Sequence, residues 1–204
     1  MAEKIVHLNA LDLDVFVPEE ISFHDDGFVD DLGAHEYFIN WRYRGNFPPI
    51  ESFSTSENNK GHILYSAHFK CFHIAYLNSS SHPLHTRVHE ETHFLHAVKR
   101  LPILSQRIMQ RQGVEIDFDK IKGEIEDPEE RRETFAEIGG VFAQYQRIGW
   151  QGVCDFYASR LPRSEFFDDA FKIYSRAIEE SLKKSKDSTK SRGLVSKLAS
   201  LFKN

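Results

Sequence analysis

Histidines are concentrated in one short stretch of the chain. Eleven occur in 204 residues, and four of them lie in HTRVHEETHFLH at 85–96. Within this stretch His89, Glu90 and His93 form the pattern H-E-x-x-H. On a helix the two histidines lie one turn apart on one face, where both imidazoles can bind a zinc ion, and the glutamate can accept a proton from a zinc-activated water. The spacing predicts a hydrolytic zinc site. The alternative is a histidine-rich helix that is solvated or packs without binding a metal.

A hydrolytic zinc site with an open position needs one more protein ligand. His96 shares the face of His89 and His93, but three ligands on one straight helix are spread along about 10 Å and cannot converge on one ion. We therefore expect His96 beside the site or partly exposed.

Two acids further along the chain are the other candidates. Glu133 and Glu137 lie one helical turn apart in RRETFAEIGGVFAQY, within an apolar stripe. Buried acids need a positive partner to offset their desolvation, and a zinc ion would be such a partner. The alternative is that both acids flank the stripe and pair with neighbouring arginines.

The two segments together resemble the gluzincin class of zinc metallopeptidases. HEETH is followed after forty residues by ETFAE, and this E-x-F-A-E form is similar to that of lethal-factor-like metallopeptidases. The resemblance implies that Glu133 joins His89 and His93 as the third ligand, and that Glu137 is an outer carboxylate that orients a liganding histidine. It implies zinc-dependent hydrolysis of a peptide or protein substrate, with Glu90 as the general base.

Gluzincins also carry an edge strand shortly before the active-site helix, and it holds an extended peptide by strand addition. FKCFHIAYLN, which ends a few residues before Pro83, is placed for that role. A function of another class stays open: a non-catalytic zincin-like protein that binds a partner or holds structural zinc. In the structural site His96 or His85 would be the nearest fourth ligand.

The segments that must position these residues predict an α+β fold, and the resemblance implies that it is of zincin-like type. The first eighty residues are β-rich, with five candidate strands of a twisted, mainly antiparallel sheet: EKIVHLN, LDLDVFVP, HEYFINWRYR, GHILYSAH and FKCFHIAYLN. A Pro-containing polar stretch, GNFPPIESFSTSENNKG, predicts a long loop between the third and fourth.

Helices are predicted from residue 81 onward. Pro83 stands near the first helical position, Pro102 breaks that helix, and a second helix, LPILSQRIMQRQ, ends at Gly113. Asp127 predicts an N-cap for the helix that carries Glu133 and Glu137. The Gly139–Gly140 pair inside that helix indicates either close approach of the metal-binding helix or a kink.

Composition limits the classes of partner and compartment. The chain predicts a single zincin-like domain at 1–184, β-rich over 1–80 and helical over 81–184. A basic linker and a short amphipathic helix follow at 185–204, which could contact an anionic membrane or a partner groove. The net charge of −5 gives no electrostatic reason to expect nucleic acid.

Two distant cysteines match no C-x-x-C pattern, and neither a signal peptide nor an apolar stretch of membrane-spanning length is visible. We therefore expect a cytoplasmic protein, with peripheral membrane contact through its tail as an option.

Overall fold

The computed structural model describes residues 2–29, 51–52, 61–66, 70–77, 83–159 and 165–201. Within these ranges strands come first and helices follow, so the fold is α+β, as predicted. The strands are β1 Glu3–Leu8, β2 Leu13–Pro18, β3 Ser22–Val29, β4 Glu51–Ser52, β5 Gly61–Ser66 and β6 Cys71–Leu77. The helices are α1 Pro83–Ala97, α2 Leu101–Gln112, α3 Phe118–Glu124, α4 Pro128–Ser159 and α5 Glu165–Leu201.

The described strands form two sheets, where the sequence predicted one. β1 and β2 pair as an antiparallel hairpin, and their alternation buries Leu8, Val15 and Val17 while Ile5 and Phe16 face outward as a cross-strand pair. The second sheet has the order β3-β6-β5-β4. Antiparallel pairing predominates among the described strands, and the β3–β6 pair is parallel.

The strand FKCFHIAYLN is not an edge strand. Its described part, β6, pairs with β3 on one side and with β5 on the other. Its backbone groups are therefore already used within the sheet, and the expectation that it binds an extended peptide is wrong.

Two further strands were not predicted, and one predicted strand is not described. β3 contains two aspartates and Gly27, whose φ of 71° accompanies a register shift between Asp25 and Phe28. β4 lies inside the segment predicted to be a loop. The predicted strand HEYFINWRYR lies outside the described residues.

The helix boundaries follow the local rules closely. α1 begins at Pro83, and α2 covers the predicted residues, with Pro102 in its first turn and Gly113 in the left-handed conformation at its end. Asp127 accepts the backbone N–H groups of Glu129 and Glu130, which confirms the predicted cap of α4. The short helix α3 was not predicted. Its cap is Asp117, which accepts two backbone N–H groups.

The glycine pair in α4 is the place where α1 and α4 touch. A Cβ at Gly139 would lie 2.0 Å from Thr92 Oγ1, and one at Gly140 would lie 2.4 Å from His85 Cε1. Neither position has room for a side chain. The kink in α4 occurs later, at Gly149, whose φ is 71°. Close approach of the helices is therefore the correct explanation of the pair.

The tail differs from the predicted arrangement. α5 runs without interruption from Glu165 to Leu201, so residues 185–192 lie in a helix where a linker was expected. A surface contact of the tail with a membrane stays a prediction. No described helix is both long and apolar enough to cross a bilayer.

One buried acid attaches the hairpin to α1. The carboxylate of Glu91 accepts the backbone N–H groups of Ala10 and Leu11, at 2.8 and 2.7 Å, in the turn between β1 and β2. Burial raises the pKa of Glu91 to about 7, while the two backbone donors act in the opposite direction. Glu91 belongs to the HEETH segment, yet it faces the hairpin and its contacts are structural.

Glu91→Ala is expected to lower the free energy of unfolding by about 2–3 kcal/mol, because it leaves two backbone donors without their acceptor. Urea unfolding followed by circular dichroism measures this change. Glu179→Ala on the exposed surface of α5 is the control and should stay within about 0.5 kcal/mol of wild type. Equal stability of the two variants would contradict the structural role of Glu91.

Candidate metal centre

Three of the predicted residues each place one ligand atom close to those of the other two. His89 and His93 stand side by side on α1, with their Nε2 atoms 3.1 Å apart. Glu133 on α4 places Oε2 at 3.4 Å from His89 Nε2 and at 3.5 Å from His93 Nε2. The group could hold a metal ion. Glu133, which was predicted as the third ligand, thus lies beside both histidines.

The side chains of the group are largely buried. That of His93 has no exposed surface, that of Glu133 is 6% exposed, and that of His89 is 14% exposed. Polar groups buried in this way need a partner to offset their desolvation.

Glu137 contacts the opposite side of the His89 ring. Its Oε1 lies 3.6 Å from His89 Nδ1, and its Oε2 lies 2.8 Å from His85 Nε2. His85, His89 and Glu137 thus form a second group of atoms within metal-binding range of one another. Glu133 reaches both Nε2 atoms of the histidine pair, whereas Glu137 contacts Nδ1 of His89 and Nε2 of His85. This difference in geometry favours Glu133 over Glu137 as a partner of both Nε2 atoms.

The expected arginine partners are present in part. Arg132 donates weakly to Oε1 of Glu133 at 3.4 Å and leaves Oε2 directed at the histidines. The alternative in which both acids merely pair with arginines therefore accounts for Oε1 of Glu133 and leaves its contacts with the histidines unexplained.

The side chain of Glu90 lies beside this group. Glu90 is 2% exposed, and its Oε2 has no hydrogen-bond partner. A Cβ at Gly61 would lie 3.1 Å from Glu90 Cγ, so β5 packs directly against this side chain. Burial raises the pKa of Glu90 to about 8. The positive His89 opposes that rise, and the carboxylates of Glu133 and Glu137 add to it.

His96 lies away from the ligand atoms. It packs its ring edge-on against Phe135 at a centroid distance of 5.3 Å, and it belongs to neither of the two described groups. His85, by contrast, contacts Glu137, and the sequence did not predict this contact. The pattern contained the indication, since His85, His89 and His93 are spaced by four residues and share one helix face.

The ionisable groups of the cluster shift one another's pKa values. Burial alone would raise the pKa of Glu133, but the hydrogen bonds from His89 and His93 hold it far below the ordinary range. Burial acts against the charged form of His89, yet Glu133, Glu137 and Glu90 raise its pKa to about 9. The pKa of His93 falls to about 4 through burial. A metal ion that binds Nε2 of His89 must therefore displace a proton.

Comparisons with known proteins supply no relative. No protein-family model matches the chain, and no curated protein or solved structure is significantly similar to it. The gluzincin resemblance stays a prediction, and the case for a function depends on the geometry of the cluster.

Metal-free protein is expected to lose stability as the pH rises from about 6.5 to about 9. The pKa values of Glu90 and His89 are raised in the folded state, so the fold holds protons that the unfolded chain has already released. Stability then falls with increasing pH across this window. Urea unfolding of chelator-treated protein at both pH values measures the effect, and Glu90→Gln should reduce it. A stability that is constant or higher at pH 9 would show that the cluster is not coupled to folding in this way.

The two glutamates of α4 are expected to differ in metal affinity. Glu137→Ala should weaken binding by about 10–100-fold, as loss of an orienting partner typically does, and Glu133→Ala should weaken it further because a ligand is lost. Competition with a chromophoric chelator, with Zn²⁺ as the probe ion, measures both. Glu130→Ala in the first turn of α4 is the matched control. The reverse order of the two effects would assign the ion to the group of His85, His89 and Glu137.

Proposed function

We propose that the protein is a zinc-dependent metallopeptidase of zincin-like fold, which hydrolyses peptide bonds with Glu90 as the general base. The observation that supports it most is the triangle of ligand atoms from His89, His93 and Glu133, with a buried carboxylate beside it whose Oε2 has no partner. Two further steps, the choice of metal and the choice of reaction, follow from that arrangement.

Zinc is the metal that this ligand set suits. Zinc–ligand bonds of about 2.0–2.1 Å place the ligand atoms of a tetrahedral site about 3.3 Å apart. The three distances between the ligand atoms of His89, His93 and Glu133 are 3.1, 3.4 and 3.5 Å. Calcium and magnesium favour oxygen-only sites, whereas two imidazoles with one carboxylate are a catalytic zinc set. About one zinc per chain is expected, and iron in its place would contradict the proposal, since two histidines and a carboxylate also suit non-haem iron.

The protein side chains supply positioning and a base. A zinc ion held here would lower the pKa of a water molecule and polarise a carbonyl group. Glu90 Oε2 is the atom that would take the proton, because no hydrogen bond occupies it. Burial makes this carboxylate more basic than an exposed glutamate, which brings its pKa near neutral pH, where a general base works best.

The rival proposal, a non-catalytic zincin-like protein with structural zinc, requires a fourth protein ligand. Within the described residues, His85 and His96 both lie outside the group formed by His89, His93 and Glu133. That leaves a coordination position for water or substrate. A partner-binding role without zinc would leave the buried, unpartnered Glu90 Oε2 unexplained.

The compartment is part of the proposal. Cys71 and Cys154 form no disulfide, which suits the reducing cytoplasm. Contact of the C-terminal helix with a membrane surface is retained only as an additional option.

Glu90→Gln is expected to reduce peptide cleavage by about 10²–10⁴-fold, because the amide cannot accept the proton while the shape of the side chain is kept. Zinc content should stay close to wild type, since Glu90 is not a ligand. The assay is cleavage of an unbiased peptide library with zinc content matched between samples.

Glu130→Gln is the control, and it should cleave like wild type. Equal cleavage by wild type and Glu90→Gln would point to a contaminating peptidase and contradict the assignment of the base. Cleavage that persists in zinc-free Glu133→Ala would contradict the metal-dependent mechanism.

A further inference from the structure

We propose that His85 is a positioning residue for the metal site. It fixes the carboxylate of Glu137, which in turn fixes the ring of His89 with Nε2 toward the ion. This inference rests on the proposed metal binding by His89, and it adds a residue that the H-E-x-x-H pattern does not contain.

The contacts form a chain of three side chains. His85 Nε2 lies 2.8 Å from Oε2 of Glu137, and Oε1 of the same carboxylate lies 3.6 Å from His89 Nδ1. The first distance is a good hydrogen bond, and the second needs a small approach to become one. Because one oxygen of Glu137 is held by His85, the other stays on the side of His89.

The ring of His85 is fixed from two helices. A Cβ at Gly140 of α4 would lie 2.4–2.7 Å from three atoms of this ring, so the glycine provides the space in which the ring lies. Phe156 and Phe167 flank it at centroid distances of 6.4 and 5.8 Å. Because His85 is 4% exposed and enclosed in this way, the direction of its hydrogen bond to Glu137 is fixed.

The hydrogen-bond pattern also determines which nitrogen of His85 carries the proton. Nε2 faces the carboxylate of Glu137 and therefore donates. Nδ1 is buried and has no hydrogen-bond partner. A second proton on Nδ1 would lack an acceptor, so the structure assigns His85 as a neutral donor through Nε2.

The same reasoning extends to His89. Its Nδ1 faces Oε1 of Glu137 at 3.6 Å, and after a small approach it would donate there and leave the lone pair of Nε2 free for the ion. Removal of the donor on His85 takes away the 2.8 Å hydrogen bond that holds this carboxylate beside His89, and so weakens the contact that sets the tautomer and ring orientation of His89. Metal affinity should then fall although no ligand has changed.

The test compares His85→Leu, which removes the donor, with His85→Gln, whose amide N–H can still reach Glu137. The probes are Zn²⁺, for affinity by chelator competition, and Co²⁺, whose visible absorption reports the geometry of the ligands. We expect His85→Leu to weaken Zn²⁺ binding by about 10-fold or more and to change the Co²⁺ spectrum, and His85→Gln to restore both to near wild type. His96→Leu, outside both groups, should change neither.

Three results would overturn the inference. An unchanged affinity and Co²⁺ spectrum in His85→Leu, with stability alone reduced, would show that His85 only packs. Equal losses in His85→Leu and His85→Gln would exclude the hydrogen bond as the cause. Loss of all binding in His85→Leu, with Glu133→Ala unaffected, would make His85 a ligand instead.

The design separates this inference from the proposed function. If wild type binds neither Zn²⁺ nor Co²⁺, both fail, whereas binding by wild type that is insensitive to His85→Leu leaves the metal site intact and removes only the role of His85. Should the leucine variant fail to fold, His85→Asn, whose amide is too short to reach Glu137, replaces it with the same expected losses.

Discussion

The close contact between α1 and α4 is the constraint on which the site depends. Gly139 and Gly140 have no side chains, and Thr92 and His85 of α1 occupy the space that side chains there would need. Glycine inside a helix lowers helix stability by roughly 0.5–1 kcal/mol relative to alanine. Here that cost is offset by the approach of two helices whose functional groups must meet within a few ångströms. Glu133 lies less than two turns before the glycine pair, on the part of α4 that faces the histidines.

This contact concentrates ionisable groups that could not be buried separately. In the interior between the helices, these groups shift the pKa values of their neighbours. The groups are His89, Glu90, His93, Glu133 and Glu137. Without a metal ion, part of their negative charge is balanced by the proton that the raised pKa of His89 retains. A divalent cation would replace that proton and satisfy the same carboxylates more strongly. The cluster is thus arranged for a positive charge at its centre, and Glu90 is the member left with a free oxygen.

Local patterns in the sequence predicted the helix boundaries better than they predicted the sheets. Pro83, Gly113 and Asp127 act within a few residues of themselves, so the helix boundaries that they specify are correct. The sequence could not show which contacts Glu133 and Glu137 make, since both residues lie on the same face of α4 and only the positions of their oxygens distinguish them. His85 was predicted only as a candidate fourth ligand, because its contact with Glu137 depends on how α1 packs against α4. Strand partners depend on residues far apart in the chain, and the central place of β6 is of this kind. The polar composition of 185–192 suggested a linker, although those residues continue α5.

In the proposed site, two imidazole nitrogens and one carboxylate oxygen bind a single zinc ion. X-ray absorption at the zinc edge, on protein purified without chelators, measures the number and kind of ligands directly. We expect about one zinc per chain, four-coordinate with two imidazoles at about 2.0 Å, and oxygen atoms as the remaining ligands. In Glu133→Ala the zinc content should fall sharply. A zinc ion with three or more imidazoles, or protein that neither retains nor takes up zinc, would contradict this site.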